Sequence, residues 1–352
     1  MVDLSSEAID RTALGRWLAA QGLGAWSGEL DPVGGGTQNV VLRTVVGGRR
    51  LVLRHPPVHP RPESARTIAR EITVLGALGG SDVPHPELVA ACTDAEVLGQ
   101  PFYLMTDVDG VNPGEEVSAE QAADAGLRHG GALDLARAAA RLGRLDPEAI
   151  GLGGLRKPGP FLERQVPRWR EQLASYTEVP GYDPGDLPDA TAAGDWLERH
   201  RPPEPEPGVM HGDLHLNNVL LRRAEPRVAA VVDWEMCTVG DPLLDLGWLL
   251  VTWPVEPVGF AAGPALAGHG GLPTRSELLA AYAEAGGRDT GRATWYAALA
   301  AYKLGIVLEG TWARVAVGKA PREIGERLHA HAVALLELAV AISRDEWAVS
   351  AG

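Results

Sequence analysis

Polar residues that could carry chemistry are concentrated in one short stretch of the sequence, between residues 209 and 235. The segment 209–221 (VMHGDLHLNNVLL) sets polar residues between apolar runs, and the segment 228–235 (VAAVVDWE) ends an apolar run in acidic residues. Asp213 lies five residues before Asn218 and twenty before Asp233. Oxygen ligands of this kind suit Mg²⁺, which proteins usually bind through one or two carboxylates together with substrate phosphates. The pattern predicts a phosphoryl-transfer centre.

Three residues of this stretch have predicted roles. Phosphoryl transfer depends mainly on positioning, a metal and neutralisation of charge. Asp213 is the candidate base, which would orient a substrate hydroxyl and accept its proton. Asn218 and Asp233 are the candidate Mg²⁺ ligands. Asp213 or Asn218 alone would be better explained as a loop residue that caps a turn, but Asp233 at the end of a strand-like run favours the catalytic interpretation.

Other polar residues in and after this stretch are expected to support it. His211 is expected to order the loop through backbone hydrogen bonds, whereas the role of His215 stays open. Asp245 lies in the apolar run GDPLLDLGWLL, so it should be buried, and a buried carboxylate needs hydrogen bonds. The backbone amides of the catalytic loop are a natural source of them, and Asp241 is a second candidate for such a structural role.

A β-hairpin entered through three glycines is predicted for residues 34–57. The run 40–46 is rich in β-branched residues, the pair at 47–48 is a glycine turn, and a second strand covers 51–54. Gly34, Gly35 and Gly36, followed by Thr37, would let backbone N–H groups approach phosphates closely. No GxxxxGK[ST] motif occurs, so this segment is not a P-loop.

The helix predicted for 63–79 carries a carboxylate inside its apolar stripe. Glu71 falls among apolar positions, and burying an unpaired charge is costly, so a partner is expected. The first 108 residues contain no lysine, which leaves Arg54, at the end of the second hairpin strand, as the best cation to reach the phosphates of a nucleotide. Glu71 is its natural partner. The alternative is that Arg54 is a surface residue at a strand end.

The remaining periodicity predicts an α+β protein of two lobes with a cleft between them. A sheet-rich lobe, 1–108, contains a helix over 4–23 and strands over 87–91 and 101–108. A mainly helical lobe, 109–352, contains a helix over 161–176, which Pro167 should kink or interrupt, and several helices between 275 and 345.

Composition excludes several classes of protein. The chain has 352 residues, of which 45% are hydrophobic, so it is globular. A net charge of −14 argues against a nucleic-acid binder and is compatible with a cationic substrate, although acidic surfaces usually serve solubility. Two cysteines, no signal-like N-terminus and no long apolar run predict a cytoplasmic protein without a membrane partner. Of the 32 basic residues only three are lysines: Lys157, Lys303 and Lys319.

Seven motifs resemble, in chain order, those of the aminoglycoside phosphotransferase and choline kinase superfamily, which has a bilobal protein-kinase-like fold. They are GGGTQNVVLR, LVLR, AREITVL, YLMTDVDG, HGDLHLNNVL, VVDWE and GDPLLDLGWLL. The resemblance covers roughly residues 25–340. The segments FLERQVPRW and YKLGIVLEGTWAR are similar to the branch of kinase-like domains associated with acyl-CoA dehydrogenases.

This resemblance implies Mg²⁺ and ATP as cofactor and phosphoryl donor, and a small-molecule hydroxyl as acceptor. It implies the roles given above for Asp213, Asn218 and Asp233, and adenine binding at a hinge that contains Met105, Asp107 and Val108. The superfamily usually has lysine at the strand position of Arg54, whereas the branch often has arginine. The superfamily name suggests aminoglycoside acceptors, but the branch suggests hydroxylated metabolites or acyl compounds.

Two other functions stay open. Arg54 in place of lysine is compatible with a nucleotide-binding pseudokinase or regulatory module. The alternation His211, Asp213, His215 would place three possible Zn²⁺ ligands on one face of a strand, as in a metal hydrolase. That hydrolase interpretation leaves Asn218, Asp233 and the hairpin unexplained.

Overall fold

The computed structural model describes residues 9–33, 39–57, 62–254 and 264–347. The chain forms two compact units. The first consists of residues 1–111 together with 220–222 and 229–237, and the second consists of 112–219, 223–228 and 238–352. The sequence placed a single boundary after residue 108, so the two segments near 220 and 230 differ from that prediction. Asp233 is therefore built into the first unit.

A five-stranded antiparallel sheet organises the first unit, in the order β1-β2-β3-β5-β4. Its strands are β1 (Asp31–Pro32), β2 (Val40–Val46), β3 (Arg49–His55), β4 (Leu88–Cys92) and β5 (Phe102–Thr106). Its helices are α1 (Arg11–Ala20), α2 (Ser64–Leu78) and α3 (Ala95–Leu98). The predicted hairpin, the α2 helix and the two later strands are confirmed, with ends shifted by a few residues.

The hairpin between β2 and β3 turns on two glycines. Gly47 and Gly48 have φ angles of 59° and 74°, and Val46 pairs with Arg49 directly across the turn. Two successive residues with positive φ give the type of two-residue turn that matches the twist of antiparallel strands. The second strand therefore begins two residues earlier than the predicted 51–54, because Arg49 and Arg50 are exposed and polar and were not part of the apolar pattern.

Alternating burial along β2 turns one face of the sheet toward an apolar core that includes α1. Trp17 of α1 contacts Phe102 of β5 edge to face, with ring centroids 4.8 Å apart. The side chain of Asp10 accepts hydrogen bonds from the amides of Thr12 and Ala13 and so begins α1 at Arg11. The predicted helix over 4–23 is thus shorter at both ends, although residues 4–8 lie outside the described residues.

Helices dominate the second unit. They are α4 (Ala119–Ala123), α5 (Ala125–Gly143), α6 (Gln165–Tyr176), α7 (Thr191–Arg199), α8 (Leu243–Val251), α9 (Pro264–Ala267), α10 (Arg275–Glu284), α11 (Ala293–Ala316) and α12 (Arg322–Ser343). Short strand pairs are formed by β6 (Gly208–Met210) with β9 (Thr238–Gly240), and by β7 (Val219–Leu221) with β8 (Val228–Val231). The long helix α11 packs against α6, α7, α8 and α12.

Pro167 does not kink a helix, contrary to the prediction for 161–176. Helix α6 begins at Gln165, so Pro167 lies in its first turn. The first backbone N–H groups of a helix have no partner within it, and a proline there removes no hydrogen bond. The predicted helix is therefore shortened at its N-terminus and is otherwise continuous.

The predicted α+β class, with a sheet-rich first part and a mainly helical second part, is confirmed. None of the described helices combines the length and the apolar character that crossing a membrane would require.

The two turn glycines provide a matched test of the hairpin. Gly48→Ala should destabilise the fold by about 1–2 kcal/mol, because alanine is strained at positive φ. Gly47→Ala should destabilise it more, since a β-carbon there would also collide with the backbone oxygen of Leu23, whereas at Gly48 it would meet open space. Urea unfolding of both variants measures the difference. Equal losses of unfolding free energy would contradict this account of the turn.

Candidate active site

The loop that carries the candidate base Asp213 follows strand β6 and is held by a buried carboxylate. Asp245, in the first turn of α8, accepts a hydrogen bond from the amide of His211 (2.6 Å) and another from the amide of Gly212 (2.9 Å). Burial raises the pKa of Asp245, although nearby His211 and these two amides oppose the increase. Gly212 has a φ of 88°, which lets the backbone turn so that both amides face one carboxylate. The sequence predicted this arrangement for Asp245.

Three side chains fix the carboxylate of Asp213. The indole Nε1 of Trp248 donates to Oδ1 (3.0 Å), the amide nitrogen of Asn218 donates to Oδ2 (3.0 Å), and Nε2 of His215 lies 3.3 Å from Oδ1. Burial would raise the pKa of Asp213, but the hydrogen bond from His215, the electrostatic influence of His215 and His211, and the hydrogen bond from Asn218 lower it to about 2. Asp213 is therefore ionised at neutral pH, and its orientation is fixed.

The hydrogen bonds of His215 indicate which of its two ring nitrogens carries a proton. Nδ1 accepts a hydrogen bond from the backbone amide of Asn217 (3.2 Å), which means that this nitrogen carries no proton in the neutral ring. The proton is then on Nε2, which faces Asp213. His215 thus acts as a hydrogen-bond donor to the candidate base, an assignment that the sequence left open.

Asn218 presents its two amide functions in different directions. Its nitrogen donates both to the backbone oxygen of Asp213 (2.8 Å) and to the carboxylate of that residue, so the nitrogen must face Asp213. Among the described residues, the structure gives no hydrogen-bond donor to the amide oxygen of Asn218. That oxygen is available to a ligand, as the predicted metal-binding role requires.

His211 is fully buried, and its Nδ1 accepts a hydrogen bond from the amide of Asp213 (3.3 Å). This contact agrees with a loop-ordering residue. Asp241 is also buried: it accepts from the hydroxyl of Tyr296 and from the amide of Leu243 (3.1 Å), so its contacts are with neighbouring elements of the helical unit.

The strand geometry required by the metal-hydrolase alternative is absent. Strand β6 ends at Met210, and the chain turns at Gly212, so His211, Asp213 and His215 do not share one face of a strand. Among the described residues, the one group of acids and histidines with metal-ligand spacing is Glu71, Asp233 and Glu235.

In the first unit, Arg54 connects two carboxylates. Its Nη2 donates to Oε1 of Glu71 (2.6 Å) and to Oδ1 of Asp233 (2.8 Å). The hydroxyl of Tyr103 donates to the other oxygen of Glu71 (3.0 Å), because strand pairing places Tyr103 directly beside Arg54. Glu71 is fully buried, so the partner predicted for it is present. Arg54 is not a surface residue, since 12% of its side chain is exposed.

Burial and neighbouring charges have opposite effects on the pKa values of Glu71 and Arg54. Burial raises the pKa of Glu71 to about 7, against the charge of Arg54, while the charge of Asp233 raises it further and the Tyr103 hydrogen bond lowers it. Burial would lower the pKa of Arg54, but the nearby Glu71, Tyr103 and Asp233 raise it above its usual value, so the guanidinium stays charged. Its Nε–H is buried without a partner among the described residues.

Asp233 is held in a strained conformation just after β8. Its φ of 66° and ψ of 64° lie in the left-handed region, which residues other than glycine seldom adopt. Its side chain does not cap the following 3₁₀ turn, and 39% of it is exposed. Ligand atoms of Asp233, Glu71 and Glu235 lie within 4.8 Å of one another. Strain at an acidic residue of this kind is typical of functional sites.

The other residues predicted to contact the nucleotide are the glycine segment and the hinge residues Met105, Asp107 and Val108. Gly34, Gly35, Gly36 and Thr37 lie outside the described residues. Asp107 is engaged by arginines of the hairpin, with Oδ2 at 2.8 Å from Nε of Arg43 and 3.4 Å from Nε of Arg50. Met105 lies in β5 opposite Val52 and is half-buried. Nucleotide binding by Met105, Asp107 and Val108 stays a prediction.

Sequence reasoning missed four residues that the structure places in these networks. Trp248 binds Asp213, Tyr103 binds Glu71, Glu235 joins the acidic group of Asp233, and Lys303 lies over the ring of Trp248. Trp248 lies three residues after Asp245, so helical spacing could have placed both on one side of α8. Tyr103 depends on strand order, which the sequence did not provide.

The chain is similar to known proteins over most of its length. The model of the phosphotransferase enzyme family matches residues 29–296, well over half of the chain. Acyl-CoA dehydrogenase family member 11 of Gallus gallus is 29% identical over 296 residues, a match that covers 82% of this chain and 37% of that protein. Probable acyl-CoA dehydrogenase IBR3 of Arabidopsis thaliana is 30% identical over 319 residues, with 85% and 38% covered. The chain thus spans less than two-fifths of the length of these relatives.

Solved structures give the same result. A candidate aminoglycoside phosphotransferase from Ralstonia eutropha superposes with a TM-score of 0.73 at 29% identity, covering 94% of this chain and 98% of that one. Macrolide 2'-phosphotransferase MphH from Brachybacterium faecium superposes with a TM-score of 0.60 at 22% identity, covering 91% and 97%, which shows the fold alone. The predicted resemblance is confirmed: the chain belongs to the phosphotransferase enzyme family and has its protein-kinase-like α+β fold.

Proposed function

We propose that this phosphotransferase uses ATP and Mg²⁺ to phosphorylate a hydroxyl group of a small molecule. The observation that carries the proposal is the carboxylate of Asp213, which is ionised and fixed by Trp248, Asn218 and His215. A fixed carboxylate can align an alcohol for in-line attack, and alignment is the main protein contribution to phosphoryl transfer.

The low pKa of Asp213 defines how it would act. A carboxylate whose pKa is about 2 is a weak base toward a free alcohol. It would hold the hydroxyl proton in a hydrogen bond and accept it late, when the attacking oxygen has begun to bond to phosphorus and has become acidic. The alcohol oxygen gains the phosphoryl group, ADP leaves, and the proton passes to Asp213.

The donor set fits Mg²⁺ at the predicted ligands. No donor among the described residues faces the amide oxygen of Asn218, and Asp233 lies beside the carboxylates of Glu71 and Glu235. All of these candidate ligand atoms are oxygens, as Mg²⁺ prefers. Bound Mg²⁺ would neutralise charge on the phosphates of the donor. Asn218 and Asp233 are the predicted ligands, and a carboxylate oxygen of Glu235 lies within 4.8 Å of one of Asp233.

A nucleotide fits the unused donor of Arg54. A buried N–H without a partner is unfavourable, and a phosphate oxygen would satisfy it. The fold neighbours support this choice: one aminoglycoside phosphotransferase, APH(4)-Ia, at 16% identity, forms a ternary complex with ADP and hygromycin B.

For the acceptor, the acyl-CoA dehydrogenase relatives favour a hydroxylated metabolite or acyl compound over an aminoglycoside. Two buried cysteines that form no disulfide support a reducing, cytoplasmic location.

A nucleotide-binding pseudokinase is the second candidate. It is favoured by the contact between Arg54 and Asp233, because that ion pair engages one oxygen of the predicted metal ligand. A pseudokinase would bind nucleotide and yield no phosphorylated product. Incubation of the protein with Mg²⁺, ATP and a cell extract, followed by an untargeted mass-spectrometric search for new phosphate esters, decides between the two functions.

Replacement of Asp213 tests the catalytic assignment. Asp213→Asn keeps the volume of the side chain but removes the ionised oxygens, so kcat with the identified acceptor should fall about 10²–10⁴-fold. The exposed Asp31→Asn is the matched control and should leave kcat unchanged. Steady-state kinetics measure both, and urea unfolding shows whether the variant is folded. Wild-type turnover by a folded Asp213→Asn protein would refute the assignment.

Arg54 has a structural and a nucleotide-binding role that two variants separate. Arg54→Met should destabilise the fold by about 3–5 kcal/mol, because it leaves Glu71 buried without its cation. Adding Glu71→Gln should restore most of this loss, since glutamine can still accept from Tyr103.

The double variant should nevertheless bind ADP at least about tenfold more weakly than wild type, as expected for one lost charge-assisted hydrogen bond. Calorimetry measures ADP affinity, with the exposed Arg49→Met as control. Wild-type affinity in the stabilised double variant would show that Arg54 serves the fold alone.

A further inference from the structure

Two cations of the helical unit lie on tryptophan rings beside the candidate base. The Nζ atom of Lys303, on α11, lies 4.4 Å from the ring centroid of Trp248 and 5.8 Å from that of Trp169. The guanidinium of Arg168 lies 4.7 Å from the ring of Trp169. Within the ranges that the structure describes, it gives neither cationic group a hydrogen bond or an ion pair with a carboxylate.

This arrangement leaves hydrogen-bonding capacity unused. A lysine ammonium has three N–H donors, and an indole face attracts the charge but accepts no conventional hydrogen bond. Lys303 is only partly exposed, so water satisfies its donors less well than it would at the surface. The site therefore offers an oriented positive charge whose hydrogen bonds remain to be made.

The same indole connects this charge to the base. Trp248 donates its Nε1–H to Asp213 while its ring face lies under Lys303. The nearby acids are already occupied: Asp213 is bound by Trp248 and Asn218, and Asp245 by the amides of the catalytic loop. Lys303 thus lies near the candidate base Asp213 without forming an ion pair with it among the contacts that the structure describes.

We propose that Lys303, supported by Trp248, Trp169 and Arg168, binds an anionic group of the acceptor, either a carboxylate or a phosphate. This inference rests on the proposed function, because it assigns the charge of the molecule whose hydroxyl Asp213 orients. It selects acceptors that carry an anion near the reacting hydroxyl. It selects against polycationic aminoglycosides, whose ammonium groups Lys303 and Arg168 would repel.

The electrostatic setting of Lys303 supports an anionic ligand. Burial lowers the pKa of Lys303 to about 8, opposed by the charges of Asp245 and Asp213, and Arg168 lowers it further. The ammonium is thus mostly protonated at neutral pH but destabilised relative to water. An anion in contact with it would relieve that destabilisation.

Direct binding of small probes tests the site without requiring catalysis. Butanoate, monopropyl phosphate, the neutral butanamide and the cationic butylammonium are titrated into the whole protein by ligand-observed NMR. Wild type should bind at least one of the anions about tenfold or more tighter than butanamide, and butylammonium not at all. The ratio between the two anions identifies carboxylate or phosphate as the preferred group.

Variants of two lysines localise the binding. Lys303→Met should abolish the preference for anions, Lys303→Arg should retain it, and the exposed Lys319→Met should leave it unchanged. Unfolding free energies are measured for each, so that Lys303→Arg provides the comparison if the methionine variant is unstable. A preference for anions that is missing in wild type, or that persists in folded Lys303→Met, would overturn the proposal.

Phosphoryl transfer is measured separately, with hydroxycarboxylates, hydroxyalkyl phosphates, diols and amino alcohols of equal chain length. Binding of anions through Lys303 without transfer to any acceptor would refute the proposed function and leave the anion site standing. Transfer with equal kcat/KM for anionic and neutral acceptors would refute the anion site and leave the proposed function standing.

Binding should also depend on pH in a defined direction. The charged groups around Lys303 are Asp213, Asp245 and Arg168. Since Lys303 loses its proton through about pH 8, butanoate should bind more weakly as pH rises from about 7 to about 9. Lys303→Met should show a flat profile over that range, and a flat profile in wild type would contradict the role of the lysine.

Discussion

The loop that carries the candidate base Asp213 depends on one buried carboxylate. Asp245 replaces water as the hydrogen-bond partner of two consecutive amides, and loss of those bonds would leave a charge in an apolar helix. Three residues later on α8, Trp248 reaches the side chain of Asp213. One short helix therefore fixes the loop through its backbone and the candidate base through its side chain. This explains why an apolar run carries one acid and one tryptophan at helical spacing.

In the first unit, a single guanidinium neutralises two carboxylates. Glu71 is too deeply buried to be ionised without a cation beside it. Asp233 is held at a positive φ, and backbone strain of this kind is typical of functional residues. Arg54 binds both. The contact between Arg54 and Asp233 gives this unit a stable arrangement in which the predicted metal ligand is paired with a cation. A divalent ion would compete with that cation for the same oxygen.

The sequence was most informative where one rule determined a residue's surroundings. A carboxylate inside an apolar stripe had to have a partner, and the lysine-free hairpin left Arg54 as the candidate; that pair is present. Asp245 was predicted by the same reasoning. The sequence was silent where contacts join elements distant in the chain. Tyr103 meets Glu71 only because β5 pairs with β3, and Lys303 meets Trp248 only because α11 packs on α8. The boundary after residue 108 differed because two short segments return to the sheet unit.

The uneven use of arginine and lysine has a physical explanation at these two positions. Nη2 of Arg54 binds two carboxylates, and the Nε–H is a third donor, on a separate nitrogen, that can point to a ligand. At position 303 the compact ammonium is better suited, because it can lie over an indole and change protonation near neutral pH. An arginine there would stay charged at every accessible pH and would more readily engage a neighbouring acid in a bidentate pair. A chain in which arginine is far more common than lysine thus has a lysine, with its small charge that can lose a proton, beside the candidate base.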